Sequence, residues 1–384
     1  MSRGHIRKQG EGSWEIKFDL GRDPMTGKRL TRYLTFRGTK RAAEAELTRL
    51  LSRRDDGVHV DPTKMNLGEY LHHWLTANIE RRVAARTAHR HRGIVEKNII
   101  PRLGNIPLRK LTAVHIEAFE ADLQREGRVN GKGGLSAQTV KHVHRTLSQA
   151  LRHAVRQNVL VKNPAEAVQP PRPEDREIVI LSKPEIGTIL SAAQGTELFV
   201  PILVGVTTGV RRGELLALRW SDLDLDAGYL IVNQALEQVG RKITFKPPKN
   251  KKSRRKVTLP DTTTKALRQY RKTQAEERLR MGLPAAARTL VFSRPNGEPL
   301  DPDAVSKAFK RIVSTAKVTP ISLHGLRHTH ISHLLMDGVH AKVVSERAGH
   351  STVAFTLSRY AAYIPNLQQD AAERVDAALR DVLK

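Results

Sequence analysis

The chain has 384 residues, and 66 Lys or Arg against 39 Asp or Glu give it a formal net charge of +27. So large a positive excess predicts an anionic partner, for which nucleic acid is the usual candidate. The absence of cysteine excludes a disulfide framework, a thiolate metal site and a thiol nucleophile. The longest apolar run, FVPILVGV at 199–206, is too short to cross a bilayer, and no apolar segment follows the basic N-terminus. We therefore expect a soluble, cytoplasmic protein without a membrane partner.

Residues 1–60 have the pattern of a small α+β module. The segments SWEIKFDLG (13–21) and KRLTRYLTFRG (28–38) alternate between apolar and polar residues, which predicts two strands joined by a turn. The helical period of TKRAAEAELTRLLSRRDDG (39–57) predicts one helix after them. The exposed basic residues of this module either form an ordinary solvated face or, in the interpretation that we prefer, contact DNA.

The spacing of apolar residues and the helix caps over 64–168 predict an all-helical domain. Thr87 is placed to cap a helix that stops before Pro101, and Thr112 is placed to cap another that ends at Gly127. Apolar residues share one face of the first predicted helix: Leu67, Tyr70, Leu71, Trp74 and Leu75.

A long helix is predicted from Ser136 onwards. Its apolar stripe recurs at helical spacing: Val140, Val143, Leu147, Leu151, Ala154 and Val155. Its other face is basic: Lys141, His142, Arg145, Arg152 and Arg156. Such a face is either solvated or in contact with phosphates. The total charge favours DNA contacts, which we assign to Lys141, Arg145 and Arg152.

The segment QPPRPEDRE (169–177), with three prolines and five charges, predicts a linker. A mixed, mainly α-helical α+β domain is predicted after it, over 176–384. Ser182 and Glu185 match a capping box that opens its first helix.

The segment TTGVRRGELLALRW (207–220) is the first of four motifs that suggest chemistry. Gly209 is expected to end an apolar helix, which leaves Arg211 at the start of the next one. An arginine in that place suits a phosphate. The alternative is a surface arginine paired to Glu214.

The second motif is the basic segment RKITFKPPKNKKSRRKVTLP (241–260), read as a hairpin with a basic tip. Nine of the sixteen residues from Arg241 to Lys256 are Lys or Arg, and none is acidic. Most of them are expected to contact phosphates, and one lysine could give a proton to a leaving alkoxide. The DNA contacts predicted here are Lys246, Lys251, Lys252, Arg254 and Arg255.

The last two motifs are SLHGLRHTHISHLLMDG (322–338) and ERAGHSTVAFTLSRYAAY (346–363). His324 and Arg327, three residues apart, share a helix face. The pair His324 and His328 also has zinc-ligand spacing, but cysteine is absent, carboxylates are sparse, and Arg327 between the histidines would repel a metal.

The four motifs lack an obvious carboxylate cluster for Mg²⁺. The positive charge that a metal would supply can come from Arg211 and Arg327, clamping a phosphodiester. A side chain must then be the nucleophile, and without cysteine the candidates are serine and tyrosine, of which we favour tyrosine.

The segments TGVRRGELLALRW, PPKNKKSRR, LHGLRHT and AGHS…SRY resemble, in order and spacing, those of the tyrosine recombinases, and most closely the integrases of phages and mobile elements. The resemblance covers essentially the whole chain. It implies a three-stranded arm-type DNA-binding module at 1–60, a core-binding domain at 64–168 and a catalytic domain at 176–384.

The resemblance also implies roles for single residues. Arg211 and Arg327 would bind the scissile phosphate, His324 would assist proton transfer, His350 would hydrogen-bond the phosphate, and Tyr360 would be the nucleophile. Tyr363 is the rival tyrosine, at a position where the family often has a small or apolar residue. Lys249 would be the general acid, because Pro248-Lys249-Asn250 is similar to the family's Pro-Lys-Thr, with Lys251 and Lys252 as rivals.

The implied reaction is cleavage and rejoining of double-stranded DNA at attachment sites through a 3′-phosphotyrosyl bond, without cofactor, metal or ATP. Four protomers would assemble at the synapse, with the 370–384 tail docked on a neighbour or packed on its own domain. An excision factor or a host DNA-bending protein are possible partners in the nucleoid of a bacterial host. The alternatives are a type IB topoisomerase, a chromosome-dimer-resolving recombinase and a DNA-binding protein without catalysis.

Overall fold

The structure is a computed structural model that describes residues 4–22, 29–55, 65–128, 131, 133–174, 177–240, 242–247, 254–283, 289–364 and 368–380. The chain divides into two units, Met1–Asp175 and Arg176–Lys384. The division falls inside the segment 169–177, whose prolines and charges predicted a linker. Among the described helices, none has the length and apolar character needed to cross a membrane.

The N-terminal module is a three-stranded antiparallel sheet with one helix. Its elements are β1 Gly4–Gly10, β2 Ser13–Arg22, β3 Arg29–Arg37 and α1 Lys40–Asp55. A small core of Ile16, Phe18 and Ala43 joins the sheet to the helix. The alternating pattern predicted β2, β3 and α1 but not β1, because Ile6 is its single large apolar residue and the alternation is too weak to recognise. The third strand was implied only by the family resemblance, which the sheet matches.

The rest of the first unit is helical, as predicted. Its helices are α2 Leu67–Trp74, α3 Glu80–Arg82, α4 Ala85–Ile94, α5 Ile100–Leu103, α6 Ala113–Glu126 and α7 Ala137–Arg156. Thr112 caps α6, which ends at Gly127, and Ser136 caps α7, so these three boundaries are confirmed. The predicted apolar face of α2, continued by Leu75 just after it, is buried in one core with the predicted stripe of α7 except Val155, which is half-buried.

The helix expected to start at Thr87 and stop before Pro101 was predicted wrongly. It begins at Ala85, with Ala84 as an extended N-cap residue, and the helical path continues through Pro101. A π-helical turn at Val95–Ile99 precedes the proline. Pro101 then lies in the first turn of α5, where a missing N–H costs little.

The second unit contains nine described helices and two small sheets. Its helices are α8 Lys183–Ala193, α9 Phe199–Thr208, α10 Arg212–Leu215, α11 Asp261–Arg280, α12 Pro302–Ala316, α13 Leu323–Met336, α14 Ala341–Ala348, α15 Val353–Tyr360 and α16 Gln368–Leu379. Its strands are β4 Leu223–Asp224, β5 Tyr229–Val232, β6 Ala235–Val239, β7 Lys242–Lys246 and β8 Arg255–Thr258. The predicted capping box of Ser182 and Glu185 opens α8. The predicted mainly helical fold class is therefore confirmed.

The basic segment does not form the predicted hairpin between β7 and β8. Instead β7 pairs with β6, and β8 pairs with β5 in a separate sheet. The basic residues between them thus belong to a connection from one sheet to another. The alternating pattern identified both strands but not their partners, since β7 pairs with the strand just before it and β8 pairs with a strand distant in sequence.

Leu147 is fully buried in the core of the helical domain. We expect Leu147→Ala to lower the free energy of unfolding by about 2–5 kcal/mol, because it removes apolar contacts and leaves a cavity. Gln149→Ala, at an exposed position of the same helix, is the control and should change it by less than about 0.5 kcal/mol. Urea unfolding of the full chain measures both; equal effects would contradict the assigned core.

Candidate active site

Arg211 lies where the sequence predicted, directly after a broken helix. Gly209 ends α9 in the left-handed conformation, with φ +66°, and Arg211 is the N-cap residue of α10. The Arg211 N–H donates to Glu214 Oε2 over 2.9 Å, and its Nη1 donates to Oε1 over 2.8 Å. The pairing with Glu214 is therefore present, and it orients the guanidinium instead of leaving it loose on the surface.

Glu214 is buried and also binds a second arginine. Arg255 Nη2 donates to Glu214 Oε2 over 2.8 Å, and Nη1 donates to Oε1 over 3.2 Å. Burial alone would raise the pKa of Glu214, but Arg255 and Arg211 lower it to about 2. The carboxylate is therefore charged at neutral pH and holds two segments of the chain together.

Arg255 does not fit its predicted role as a DNA contact. Its side chain is 8% exposed, and besides its bonds to Glu214 its Nε donates to the Arg347 carbonyl oxygen over 2.7 Å. Because these donors are bonded inside the protein, the guanidinium is poorly placed to bind a phosphate on the surface. The sequence could not separate it from its exposed neighbour Arg254, because the two are adjacent in the same basic run.

Arg327 is the most deeply buried arginine of the cluster, with 2% of the side chain exposed. It follows His324 on α13, and its Nη1 donates to the Gly209 carbonyl oxygen over 2.7 Å. Its Nη2 is buried and has no hydrogen-bond partner among the residues that the structure describes. Burial, Arg211 and Arg255 lower the pKa of Arg327, but a guanidinium remains protonated at neutral pH. A charged donor without an acceptor is thus held inside the site.

Two glycines at helix ends, called here the glycine corners, hold Arg327 and Arg211 in place through their carbonyl oxygens. Arg327 binds the carbonyl oxygen of Gly209, and Arg211 Nη2 donates to that of Gly349 over 3.0 Å. Gly349 ends α14 with φ +66°, the same left-handed conformation as Gly209. A Cβ on Gly209 would lie 2.5 Å from the ring of His330, and one on Gly349 would lie 2.9 Å from Arg255 Nη1. Both corners therefore require glycine for their conformation and for space.

Tyr360 is the last residue of α15 and lies 1% exposed in the same region. Its hydroxyl is 2.7 Å from His328 Nδ1, and burial raises its pKa against the opposing effects of Arg327, Arg359 and Arg211. Tyr363 is oriented differently, since its hydroxyl donates to the Ile178 carbonyl oxygen. Of the two rival tyrosines, Tyr360 is the one adjacent to the arginine cluster.

The histidines His324 and His350 complete the cluster. His350 Nδ1 is 2.7 Å from the Thr356 hydroxyl, and its ring is stacked on that of Tyr360 with the centroids 6.1 Å apart. Burial, then Arg327, Arg211 and Arg255, lowers the pKa of His350 to about 3. Burial, then Arg327 and Arg211, also lowers the pKa of His324. Both rings are therefore neutral at pH 7 in the protein without DNA.

The other predicted residues of the basic segment are only partly described. Lys249, Lys251 and Lys252 fall outside the described residues, so the choice of the general acid stays a prediction. Lys246 pairs with Glu237 in the β6–β7 sheet, and Arg254 is exposed beside β8.

The predicted DNA contacts of α7 belong to the first unit. Arg145 is exposed there, Lys141 is half-buried, and Arg152 forms a 3.3 Å ion pair with Glu166. Over the described ranges, no group of three or more histidine, aspartate or glutamate side chains is arranged to hold a metal ion.

Sequence reasoning missed two histidines of the site. His330 Nε2 accepts from Arg347 Nε over 3.0 Å, so its Nδ1 carries the proton and donates to the Val206 carbonyl oxygen over 2.9 Å. This pair fixes the end of α9, which leads into Gly209. His328, the partner of Tyr360, was considered only as a zinc ligand. The sequence showed that His328 follows Arg327, but it did not show that Tyr360, 32 residues later, contacts it.

Two family models match the chain. The model described as "Phage integrase family" matches residues 180–365, and "Phage integrase, N-terminal SAM-like domain" matches residues 66–123. The chain belongs to the tyrosine recombinase family. A tyrosine recombinase described as XerC-like, from Caldanaerobacter subterraneus subsp. tengcongensis, is 29% identical and aligns over 96% of this chain and 97% of its own.

Two solved structures share the fold of this tyrosine recombinase. One is the Tn1549 transposon integrase in complex with a circular intermediate DNA, with a TM-score of 0.66 at 21% identity, covering 82% of this chain and 100% of that one. The other is a lambda integrase tetramer bound to a Holliday junction, with a TM-score of 0.59 at 20% identity, covering 96% of each chain.

Glu214→Gln tests the carboxylate that joins the arginines. At pH 7 we expect it to lower the free energy of unfolding by about 3–5 kcal/mol, because it leaves the buried Arg255 without a counter-ion. The pKa of Glu214 is lowered in the folded state, so its stabilising effect is present above about 4.5 and is lost as the pH falls towards about 2.

The difference between wild type and Glu214→Gln should therefore shrink over that pH range in urea unfolding. Asp226→Asn, which removes a highly exposed partner of Arg268, is the control and should have little effect. A difference that stays constant with pH would show that the Glu214 charge is not responsible.

Proposed function

We propose that this protein is a site-specific recombinase that integrates and excises a phage or other mobile element, and that it cuts and rejoins DNA through a 3′-phosphotyrosyl bond. One observation carries the proposal: the buried Nη2 of Arg327 has no acceptor within the described structure, and Tyr360 lies in the same cluster. Leaving such a charged donor unpaired is unfavourable unless a ligand supplies the acceptor. A phosphodiester oxygen has the charge and size to do so.

The scissile phosphate is clamped by Arg327 and Arg211. Their positive charges stabilise the negative charge that develops on the non-bridging oxygens in the transition state. Both guanidiniums are held by backbone carbonyl oxygens, so they need little rearrangement when DNA arrives. Removal of one donor of this kind typically lowers a rate by ~10²–10³-fold. His350, whose Nδ1 is engaged by Thr356, directs Nε2 to a phosphate oxygen.

Tyr360 is the nucleophile. Its oxygen attacks phosphorus, a 3′-phosphotyrosyl bond forms, and the bond from phosphorus to the 5′ oxygen breaks. Lys249 gives the proton to that oxygen with the help of His324. A 5′-hydroxyl from the partner duplex then reverses the step. The phosphotyrosyl bond keeps the energy of the phosphodiester, so the exchange needs no ATP.

The basic surfaces bring double-stranded DNA to this site. We assign phosphate contacts to Lys141, Arg145 and Arg152 on α7, and to Lys246, Lys251, Lys252 and Arg254 of the basic segment. The N-terminal module β1–β3 and α1 would bind separate arm-type repeats, which favours an integrase over a topoisomerase or a chromosome-dimer resolvase. The reaction takes place in the nucleoid, in the cytoplasm of a bacterial host.

The exchange of two duplexes, each cut on both strands, calls for four protomers. The lambda integrase structure similar to this chain is a tetramer on a Holliday junction, which supports the same assembly here. An excision factor or a host DNA-bending protein would act on this tetramer. The C-terminal helix α16, with Val375 and Leu379 exposed, would dock on a neighbouring protomer.

A covalent trapping experiment tests the proposed reaction. Wild type, Tyr360→Phe and Tyr363→Phe are each incubated in EDTA with host genomic DNA and with DNA flanking the gene. After a detergent quench, the protein is recovered and the attached DNA is sequenced. We expect adducts at a few sites with wild type and Tyr363→Phe, and none with Tyr360→Phe, because the Tyr363 hydroxyl is turned to Ile178.

The other outcomes are equally informative. Adducts that persist in Tyr360→Phe would mean that another residue is the nucleophile. Adducts scattered without site preference would favour a topoisomerase. DNA binding without any adduct would favour a protein that has lost catalysis.

The α7 face is tested by the salt dependence of binding to the duplex recovered in that experiment. If Lys141 and Arg145 each contact a phosphate, the double alanine variant should lower the slope of log K against log salt by about 1.8, or about 0.9 for each contact. Arg125→Ala is the control, because Arg125 is exposed on α6 and pairs with Asp122. An unchanged slope in the double variant would show that this face is only solvated.

A further inference from the structure

His328 is the side chain that contacts the reacting oxygen. It follows Arg327 on α13, and its Nδ1 is 2.7 Å from the Tyr360 hydroxyl oxygen, with the two rings 5.7 Å apart and inclined at 47°. On its other side the ring of His324 meets it edge-on at 4.8 Å. In the proposed function, neither the phosphate clamp nor the leaving-group acid involves His328.

The charges around this pair decide which atom holds the proton. Burial, then His324, Arg359 and Arg327, lowers the pKa of His328 to about 4. Burial raises the pKa of Tyr360, although the nearby arginines oppose the increase. At neutral pH the phenol is therefore protonated and donates to an unprotonated Nδ1, and the His328 ring carries its proton on Nε2. His350, stacked on the other side of Tyr360, is also neutral.

We propose that His328 is a further catalytic residue, which takes the proton of the Tyr360 hydroxyl as that oxygen attacks phosphorus and gives it back when the strand is rejoined. In cleavage the O–H bond of Tyr360 and the bond from phosphorus to the 5′ oxygen break, while the tyrosyl O–P bond and the His328 Nδ1–H bond form. In rejoining each of these changes is reversed. The inference rests on the proposed function, because it requires Tyr360 to be the nucleophile.

The timing of the proton transfer follows from the two proton affinities. Before attack, the Tyr360 phenol keeps its proton, because burial raises its pKa above the usual value whereas the pKa of the His328 imidazole is lowered to about 4. Once the oxygen bonds to phosphorus it can no longer hold the proton, and even a weak base accepts it. The arriving phosphate also brings negative charge, which raises the pKa of a neighbouring imidazole. The transfer therefore accompanies bond formation.

Two substitutions separate proton transfer from simple placement of the tyrosine. His328→Asn keeps an oxygen that can accept a hydrogen bond from Tyr360 but cannot hold a proton, and His328→Ala removes both functions. His340→Asn is the matched control, because His340 caps α14 by accepting from the Lys342 N–H and asparagine caps helices equally well. Urea unfolding checks that all the variants are folded.

The rate of covalent adduct formation is measured from pH 6 to 9 on a nicked duplex that carries the site recovered with wild type. General-base catalysis contributes about 10²–10⁴-fold, so His328→Ala and His328→Asn should both be slower by at least about 10²-fold at pH 7. The unprotonated imidazole is the active form and exists above its pKa. Because the pKa of His328 starts from about 4, wild type should depend on pH less steeply over this range than the variants, which should become faster with rising pH as hydroxide replaces the base.

A second substrate, with sulfur in place of the 5′ bridging oxygen, distinguishes a base from an acid. A thiolate leaves without being protonated, so the defect of a variant that lacks the leaving-group acid should disappear on it. The defects of His328→Ala and His328→Asn should remain. In the DNA-free protein, the ¹⁵N shift of His328 Nδ1 should be that of an unprotonated nitrogen with a hydrogen bond that is lost in Tyr360→Phe.

Three results would overturn the role of His328: a wild-type rate in His328→Ala, a wild-type rate and pH profile in His328→Asn, or full rescue of both by the sulfur substrate. Each of them leaves the proposed function intact as long as Tyr360→Phe forms no adduct. Adducts in Tyr360→Phe would instead overturn the proposed function itself. His340→Asn should match wild type on both substrates.

Discussion

The site is organised by a single buried carboxylate. Glu214 binds the guanidinium groups of Arg211 and Arg255 at the same time, and Arg255 continues to the Arg347 carbonyl oxygen. These contacts join the start of α10, the start of β8 and the end of α14, which are far apart in sequence. Without the negative charge, the arginines would repel one another, and the glycine corners beside them would have no fixed positions. The geometry of the arginine cluster therefore depends on a buried carboxylate between the arginines.

Around this carboxylate the protein keeps a concentrated positive charge and neutral histidines. His324, His328 and His350 all have lowered pKa values, because burial and the nearby arginines disfavour a second cation. Neutral imidazole rings can accept protons and hydrogen bonds, which imidazolium ions cannot do. At the proposed phosphate site, the charge of a bound phosphate would offset that of the arginines and make the same rings better bases. Protonation of the histidines would thus be coupled to DNA binding there.

Local signals in the sequence were sufficient for much of the fold. The caps at Thr112, Ser136 and Ser182, the buried stripe of α7 and the helix break at Gly209 each depend on residues within one or two turns, and all were predicted. Other features were not predicted. The π-helical turn that lets a helix continue through Pro101 left no mark in the apolar pattern, and β8 pairs with β5, a strand distant in sequence.

The same distinction holds for the site. Arg211, His324, Arg327, His350 and Tyr360 were proposed from their motifs, and the structure places them in one region. Arg255 looked like another surface cation, because its burial against Glu214 crosses 41 residues of sequence. In the sequence, His328 is one of several histidines on a predicted helix. The structure shows that its partner is Tyr360.

The arginine cluster has a further consequence for the protein in the cell. Arg211, Arg255 and Arg327 lie close enough to oppose one another's charge, and Glu214 offsets only part of it. Like charges held together lower the stability of a folded state, and active sites commonly retain such unfavourable arrangements. A phosphate held by the folded arrangement of these arginines would stabilise the folded form relative to the unfolded one and raise its melting temperature. We therefore expect the recombinase to be less resistant to heat while its arginine cluster is free of DNA.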